Sequence, residues 1–319
     1  MLKPWAISIA SGNPYTVRSP DKLRGFLSVL AQMEGEEWDD KSREEFQIRL
    51  IQSILLLPCN FAPAPADIRF LAKGKGFSYR RAKTIFQNRN YANPSMRARR
   101  LFNSLQMFGF VFLENEKICI TELGRAFLAE KKDYGNIFLP VLLNWQIPNP
   151  LDRRFPAGQG YNIKPFVGAV RLIRAVDSMS SAQGISLSEF AVFGLTLINY
   201  RDIEKTATEI ISFRRRLKET ASTSRRRFIQ TAAARFRPGF DMRQAEKIAD
   251  EFALALVMTQ WIAAGEYDGR RRLILPFWKM AEINAVLASD SGAPETFFST
   301  REYTDYIGKI NYSPRRLAA

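Results

Sequence analysis

The chain has 319 residues, 46% of them apolar, enough for about two domains of roughly 150 residues, each with its own core. Lys and Arg number 47 against 32 Asp and Glu, a formal net charge of +15. There is no histidine, which excludes Ser-His-Asp and Cys-His hydrolases, HExxH metalloproteases and histidine-bearing metal fingers, because each needs an imidazole as base or ligand.

The first expected helix opens at Ser19-Pro20-Asp21, where a hydroxyl cap precedes a first-turn proline, and carries Leu23, Phe26, Leu27 and Leu30 at helical spacing. Gly35 breaks it, a second helix is expected from Glu44 to Leu57, and Pro58 to Pro65 reads as a turn. Ser95 opens another helix, with Leu101, Phe102, Leu105 and Phe108 on one face and Gly109 ending it. Phe110 to Leu113 and Ile118 to Thr121 then form a hairpin around Glu114-Asn115-Glu116-Lys117, and a helix starts at Thr121. Helix, two-stranded wing, helix is the order of a winged helix-turn-helix, in which the pre-wing helix enters the major groove and the hairpin rests on the backbone.

A similar order recurs downstream, an internal repeat. Ser186 starts a helix running to about Asn199, Ile203 to Leu217 forms another, and Ala245 to Ile262 a third. Ala263 to Gly269 reads as a break and turn, Arg270 to Leu275 as a strand, and Lys279 to Leu287 as a closing helix. The stretch from Pro148 to Pro165, rich in Pro, Gly and Asn, is the expected domain boundary. The predicted fold is mainly α with small β wings, as tandem helix-turn-helix or winged-helix subdomains: residues 1–150, residues 151–290, and a linker start or tail over 291–319.

Cys59 and Cys119, sixty residues apart, make neither a CxxC pair nor a disulfide framework; both are expected in the core of a protein in a reducing compartment. The apolar run at the N-terminus is too short for a signal peptide, and no stretch approaches the ~18 apolar residues of a membrane span. A soluble, cytoplasmic protein is expected, whose positive charge calls for a polyanion.

The charge is clustered. From Ile68 to Arg100 there are ten Lys and Arg and no acid, with Ser78, Asn88, Asn90, Asn93 and Ser95 interspersed. A second block, Arg214 to Lys247, holds eleven basic residues against Glu219, Asp241 and Glu246; the third is Arg270-Arg271-Arg272. Arginine predominates, which suits bidentate contact with phosphate and guanine, and no amphipathic apolar stripe accompanies the runs as a membrane surface would require. Double-stranded DNA is therefore the expected partner. RNA is disfavoured because the aromatic residues read as core rather than as a stacking face.

Base contacts are expected from Arg97, Arg100, Asn103 and Gln106 at the front of the pre-wing helix, and from Arg80, Arg81, Asn88 and Asn90 on the preceding element, since Arg pairs with guanine and Asn or Gln with adenine. Phosphate contacts are expected from Arg18, Lys73, Lys75, Lys83, Arg89 and Arg99. The later blocks add Arg214, Arg215, Arg216, Arg225, Arg226, Arg227, Arg235, Arg237, Arg270, Arg271 and Arg272 to that set.

A nuclease of the PD-(D/E)xK type would use two acids to hold Mg²⁺ and a lysine beside the attacking water. Pro20-Asp21 with Asp39-Asp40-Lys41 matches those letters, but Asp21 reads as a helix cap and Asp39 sits in a polar run, whereas the chemistry needs adjacent strands. Glu130-Lys131-Lys132 reads as a solvated helix end, and Gly74-Lys75 lacks the rest of a phosphate loop. The chain reads as non-catalytic, with no metal site and no cofactor of its own.

An ordered series of elements resembles the AlwI and BstNBI group of type IIS restriction and nicking endonucleases, which includes PleI and MlyI. It runs through Trp5-Ala6-Ile7-Ser8, Arg18 to Lys22, Glu34-Gly35 with Trp38, Phe108 to Phe112, Ile120-Thr121-Glu122 with Gly124, and Phe138-Leu139. It continues through Trp145-Gln146 with Pro148, Pro165-Phe166-Val167, Leu187-Ser188-Glu189, Asn199, Glu209-Ile210 and Phe213-Arg214. The resemblance implies helical and winged-helix subdomains that read a short asymmetric DNA site as a monomer. It also implies a separate PD-(D/E)xK domain or subunit that cuts to one side, and Mg²⁺ is expected only there. The alternative reading is a stand-alone winged-helix transcriptional regulator, which would dimerise on a palindrome.

Overall fold

The computed structural model describes residues 20–307 apart from 73, 91, 131–132, 153–154, 156–157, 219–223, 237–238, 268–269 and 293–294. The chain forms two units: Ser19–Lys132, and the chain from Asp133 onward.

In the N-terminal unit, α1 (Pro20–Ala31) buries Leu23, Phe26, Leu27 and Leu30 on one face, as the spacing requires. Residues 35–38 then run extended beside the later hairpin: the Gly35 amide donates to the Ile118 carbonyl (2.8 Å) and the Trp38 amide to that of Glu116 (2.8 Å). α2 (Asp40–Gln52) is capped by Asp39, whose carboxylate accepts from the Ser42 amide (2.8 Å). The helix therefore starts earlier than expected and ends at Gln52, just before Ile54 adopts a left-handed φ of 57°. α3 (Pro65–Ala72) and α4 (Tyr79–Gln87, capped by Ser78) follow.

α5 (Pro94–Met107) is capped by Asn93, not Ser95. The hairpin of β1 (Val111–Glu114) and β2 (Lys117–Ile120) pairs Val111 with Ile120 and Glu114 with Lys117. α6 (Glu122–Ala129), capped by Thr121, closes the unit. At Gly124 any Cβ would lie 2.3 Å from the Phe110 carbonyl oxygen, so only glycine lets α6 approach β1 this closely. The core is largely aromatic: Trp38 stacks on Phe102 (4.8 Å) and Phe110 on Phe127 (4.6 Å), all buried. Each such side chain contributes about 1.5–3 kcal/mol through burial.

In the C-terminal unit, α7 (Tyr134–Asn144) leads through the cis Ile147-Pro148 bond to α8 (Pro165–Met179). β3 (Ile185–Ser186) runs directly into α9 (Leu187–Glu189), which continues as a π-helical turn over Phe190–Gly194. A capping box between Ser186 and Glu189 fixes the start of α9. α10 (Ile203–Lys218), α11 (Ser224–Arg235) and α12 (Met242–Met258) precede β4 (Ala263–Tyr267) and β5 (Arg270–Ile274); α13 (Met280–Ser289) and α14 (Thr300–Ile307) complete it. The sheet order is β3-β5-β4, all antiparallel, with β5 central.

The two units share one topology. α1, the extended 35–38 segment, α2, α5, β1, β2 and α6 correspond in order to α8, β3, α9, α12, β4, β5 and α13. In each, the last hairpin strand pairs with both the early extended segment and its hairpin partner. In each, two helices lie between the second and third of the helices that the units share: α3 and α4 in one, α10 and α11 in the other. α2 and α5 pack together despite their insert, as do α9 with its π turn and α12.

Several expectations are corrected. The division falls at 132/133, not near 150, and the Pro-rich stretch lies inside the C-terminal unit, where Ile147 bridges Ile163. Residues 300–307 are no loose tail: α14 packs on α7 and buries Tyr303 completely. Ala263 to Tyr267 is a strand rather than a break, and the helix from Ser186 ends at Gly194 rather than Asn199. Neither cysteine is core: Cys59 is exposed, and Cys119, between the buried Ile118 and Ile120, points to the opposite face of its strand. Among the described residues, no helix is long and apolar enough to cross a membrane.

Candidate nucleic-acid interface

α5 is held by its N-terminal end. The Ser95 hydroxyl donates to Asp40 on α2 (2.6 Å), Arg43 of α2 pairs with the same carboxylate (3.0 Å), and the Gln47 side-chain amide donates to the Pro94 carbonyl. The Ser95 hydrogen bond, with Arg43 second, holds the Asp40 carboxyl below the usual carboxylate range. So anchored, α5 buries Ala98, Leu101, Phe102 and Leu105 and exposes Met96, Arg99, Arg100 and Asn103 as one stripe, with Gln106 half-buried at its end. Arg97 lies off the stripe and is half-buried.

The insert before α5 carries the rest of the acid-free block. Arg80, Lys83, Asn88, Asn90 and Lys75 are exposed. Arg81 instead clamps the buried Asp67 of α3 with Nε and Nη2 (3.0 Å for Nε). That guanidinium, together with the Ala64 amide, holds the Asp67 carboxyl below its usual range against the cost of burial. Arg89 lies over the Phe86 ring (3.9 Å) and donates to the Phe86 carbonyl (2.8 Å). The adjacent hairpin has an acidic tip, with Glu114 and Glu116 exposed and both Asn115 and Glu116 in left-handed turn conformations.

In the C-terminal unit the arginine blocks divide sharply. Arg214, its side chain largely buried, grips both carboxylate oxygens of Glu189 (2.8 Å each) and the carbonyls of Ala182 and Gly184. Arg272, also buried, donates to the carbonyls of Gln183 and Gly184. Nearby, burial pushes the Asp177 carboxyl above its usual range even though it accepts from the Gly184 amide. Arg235 pairs with Glu209, donates to Thr196 and lies over the Phe193 ring (4.9 Å). By contrast Arg215, Arg216, Arg225, Arg226 and Arg271 are exposed, while Arg227, half-buried, donates to the Arg216 carbonyl (2.7 Å). Arg18, Lys73, Arg237 and the side chain of Arg270 lie outside the described residues.

The structure also exposes Arg243, Gln244, Glu246 and Lys247 on the first turns of α12, the counterpart of α5. These residues fall in the second basic block but are not among the expected contacts; their spacing beside the buried Ala245 and Ala249 is the signal that places them on one exposed helix face.

The candidate nuclease residues do not fit a Mg²⁺ site. Asp39 caps α2, Asp21 pairs with Arg24 in the first turn of α1, and neither lies on a strand. Among the described residues no group of three or more His, Cys, Asp or Glu could hold a metal ion.

The model of the AlwI restriction endonuclease family matches residues 106–310, well over half of the chain. The chain belongs to the AlwI restriction endonuclease family. The matched stretch starts at the last turn of α5 and takes in the hairpin and the C-terminal unit as far as α14; the motifs from Trp5 to Trp38 lie upstream of it. No curated protein matches the chain. Among solved structures, the chain is similar in fold to the BpuJ1 endonuclease binding domain, solved in complex with pyrene- and phenanthrene-modified DNA. The TM-score is 0.52 at 13% identity, and 91% of each chain is covered.

Proposed function

We propose that this AlwI-family chain is a sequence-specific double-stranded DNA-binding module of a type IIS restriction or nicking endonuclease, built from two winged-helix units. The observation that carries this reading is the exposed Arg99-Arg100-Asn103 stripe of α5, fixed against α2 by Asp40, Arg43 and Gln47 and flanked by an insert without one exposed acid between residues 68 and 93. A helix so anchored presents base-reading groups in one register, which is what major-groove recognition needs. The family match and the shared fold of a DNA-complexed binding domain support the same reading.

The roles sort by what each side chain already holds. Arg99, Arg100, Asn103 and Gln106 face bases; Arg80, Lys83, Lys75, Arg215, Arg216, Arg225, Arg226 and Arg271 face phosphates. Arg81, Arg214, Arg235 and Arg272, with their charged heads engaged inside the protein, are structural. Cleavage and its Mg²⁺ belong to a nuclease domain or subunit working with this module, and the module binds its asymmetric site as a monomer.

The test is selection from random duplex DNA at about 0.15 M salt, where purely electrostatic binding is suppressed. One short asymmetric site is expected. Arg100→Ala should cost about 1–3 kcal/mol at one base position. Lys83→Ala should instead weaken all sequences alike and lower the salt slope by about 0.9. Enrichment of a palindrome, or of nothing, overturns the proposal.

A further inference from the structure

Within the C-terminal unit a cavity of about 750 Å³ opens between the β3–α9 junction, α11, the first turns of α12 and the outer face of β5. Its walls combine three exposed arginines from three different elements, Arg225, Arg243 and Arg271, with the carboxylate of Glu246 and the apolar Phe228 and Met242. The other wall acid, Asp241, is already engaged, capping α12 by accepting from the Gln244 amide (2.8 Å). Among the described residues no hydrogen bond or ion pair engages the side chain of Glu246 or of any of the three arginines. An exposed carboxylate in a basic cleft repels phosphate and so weakens binding to DNA in general. It favours a duplex only where a base edge offers it donors.

We infer that this cleft is a second base-reading site, resting on the DNA-binding reading above, in which Glu246 selects a cytosine. The carboxylate, which can only accept, takes the cytosine N4 amino group in the major groove. Arg243, one turn earlier on the same helix, donates to a neighbouring guanine. Arg225 and Arg271 hold the phosphates on either side, with Phe228 and Met242 forming the dry floor. Thymine and guanine present acceptors at the corresponding major-groove position and are rejected by the unpaired carboxylate.

The test compares the full chain with Glu246→Gln and Glu246→Ala, each checked for an unchanged melting temperature, on the duplex site selected by the unaltered protein and its three single-base variants at each position. The unaltered chain should prefer cytosine at one position by roughly 5- to 150-fold. Glu246→Gln should move the preference at that position towards adenine, because an amide pairs with adenine N6 and N7. Glu246→Ala should flatten it while tightening binding to unrelated DNA. A site whose every base preference survives both substitutions overturns the assignment of Glu246 while leaving DNA recognition by α5 intact. Failure of the unaltered protein to select any site would overturn the underlying reading, and this inference with it.

Discussion

Arginine in this protein does two jobs that look identical in sequence. Arg80 and Arg81 are neighbours in an acid-free run, yet Arg80 faces solvent while Arg81 reaches back fourteen residues to the buried Asp67. Composition counts charge but not partners, so the block was legible as basic while the clamp within it was not. The clamp is testable through pH. Because Asp67 is held below its ordinary value of 3.8, the stability it contributes is fully present above that value. It is lost as pH falls through the lowered one. The unfolding free energy of the protein should therefore exceed that of Arg81→Met at pH 7, and the gap should close on acidification from about pH 4 downward. Urea titrations at pH 7, 4 and 3 would show this; a gap unchanged at pH 3 would mean that α3 is anchored by something other than this ion pair.

Among the elements, the hydrophobic spacing of α1, α5 and the first hairpin was readable because each buries one face at a fixed period. β3 and β4 were not. β3 is two residues long, and Ala263-Ala264-Gly265-Glu266-Tyr267 has no β-branched residue; these strands exist because β5 supplies partners on both sides. The loop entering β3 is fixed in turn by Arg214 and Arg272, which converge on the Gly184 carbonyl, and by the Arg214–Glu189 pair. Arg214→Ala would leave the Glu189 carboxylate buried without its partner, at a cost of about 3–5 kcal/mol. The double change Arg214→Leu with Glu189→Leu should recover much of that loss. Thermal melts would measure both, and in the double variant the salt dependence of DNA binding should match that of the unaltered protein. A reduced salt slope there would place Arg214 on phosphate after all.

For the molecule as a whole, the helix-hairpin-helix order that recurs in the structure was legible in the sequence, but its edges were not. The Pro-rich stretch near 150 looked like a linker because it lacks periodicity, yet its backbone is tied down by the Ile147–Ile163 bridge. The C-terminal residues looked like a tail because the buried face of α14, Tyr303, Thr304 and Ile307, is only one turn long and includes a threonine. With no histidine, no side chain with an ordinary pKa changes charge between about pH 5.5 and 7.5, so the formal net charge of +15 changes little there. DNA affinity measured at constant salt should therefore stay level across that range. A fall of tenfold or more would implicate a carboxylate with a strongly raised affinity for protons at the interface.

The placing of the inserts reaches beyond recognition. In both units the chain adds two helices after the second helix that the units share, and then packs the third shared helix against the second. Those added helices belong to the core, because α4 packs on α2 through Ile85 and Phe86 while α10 packs on α8 and carries the Arg214 that clamps Glu189. Any change to these two helix pairs therefore acts on the core of its unit as well as on the surface that the pair presents.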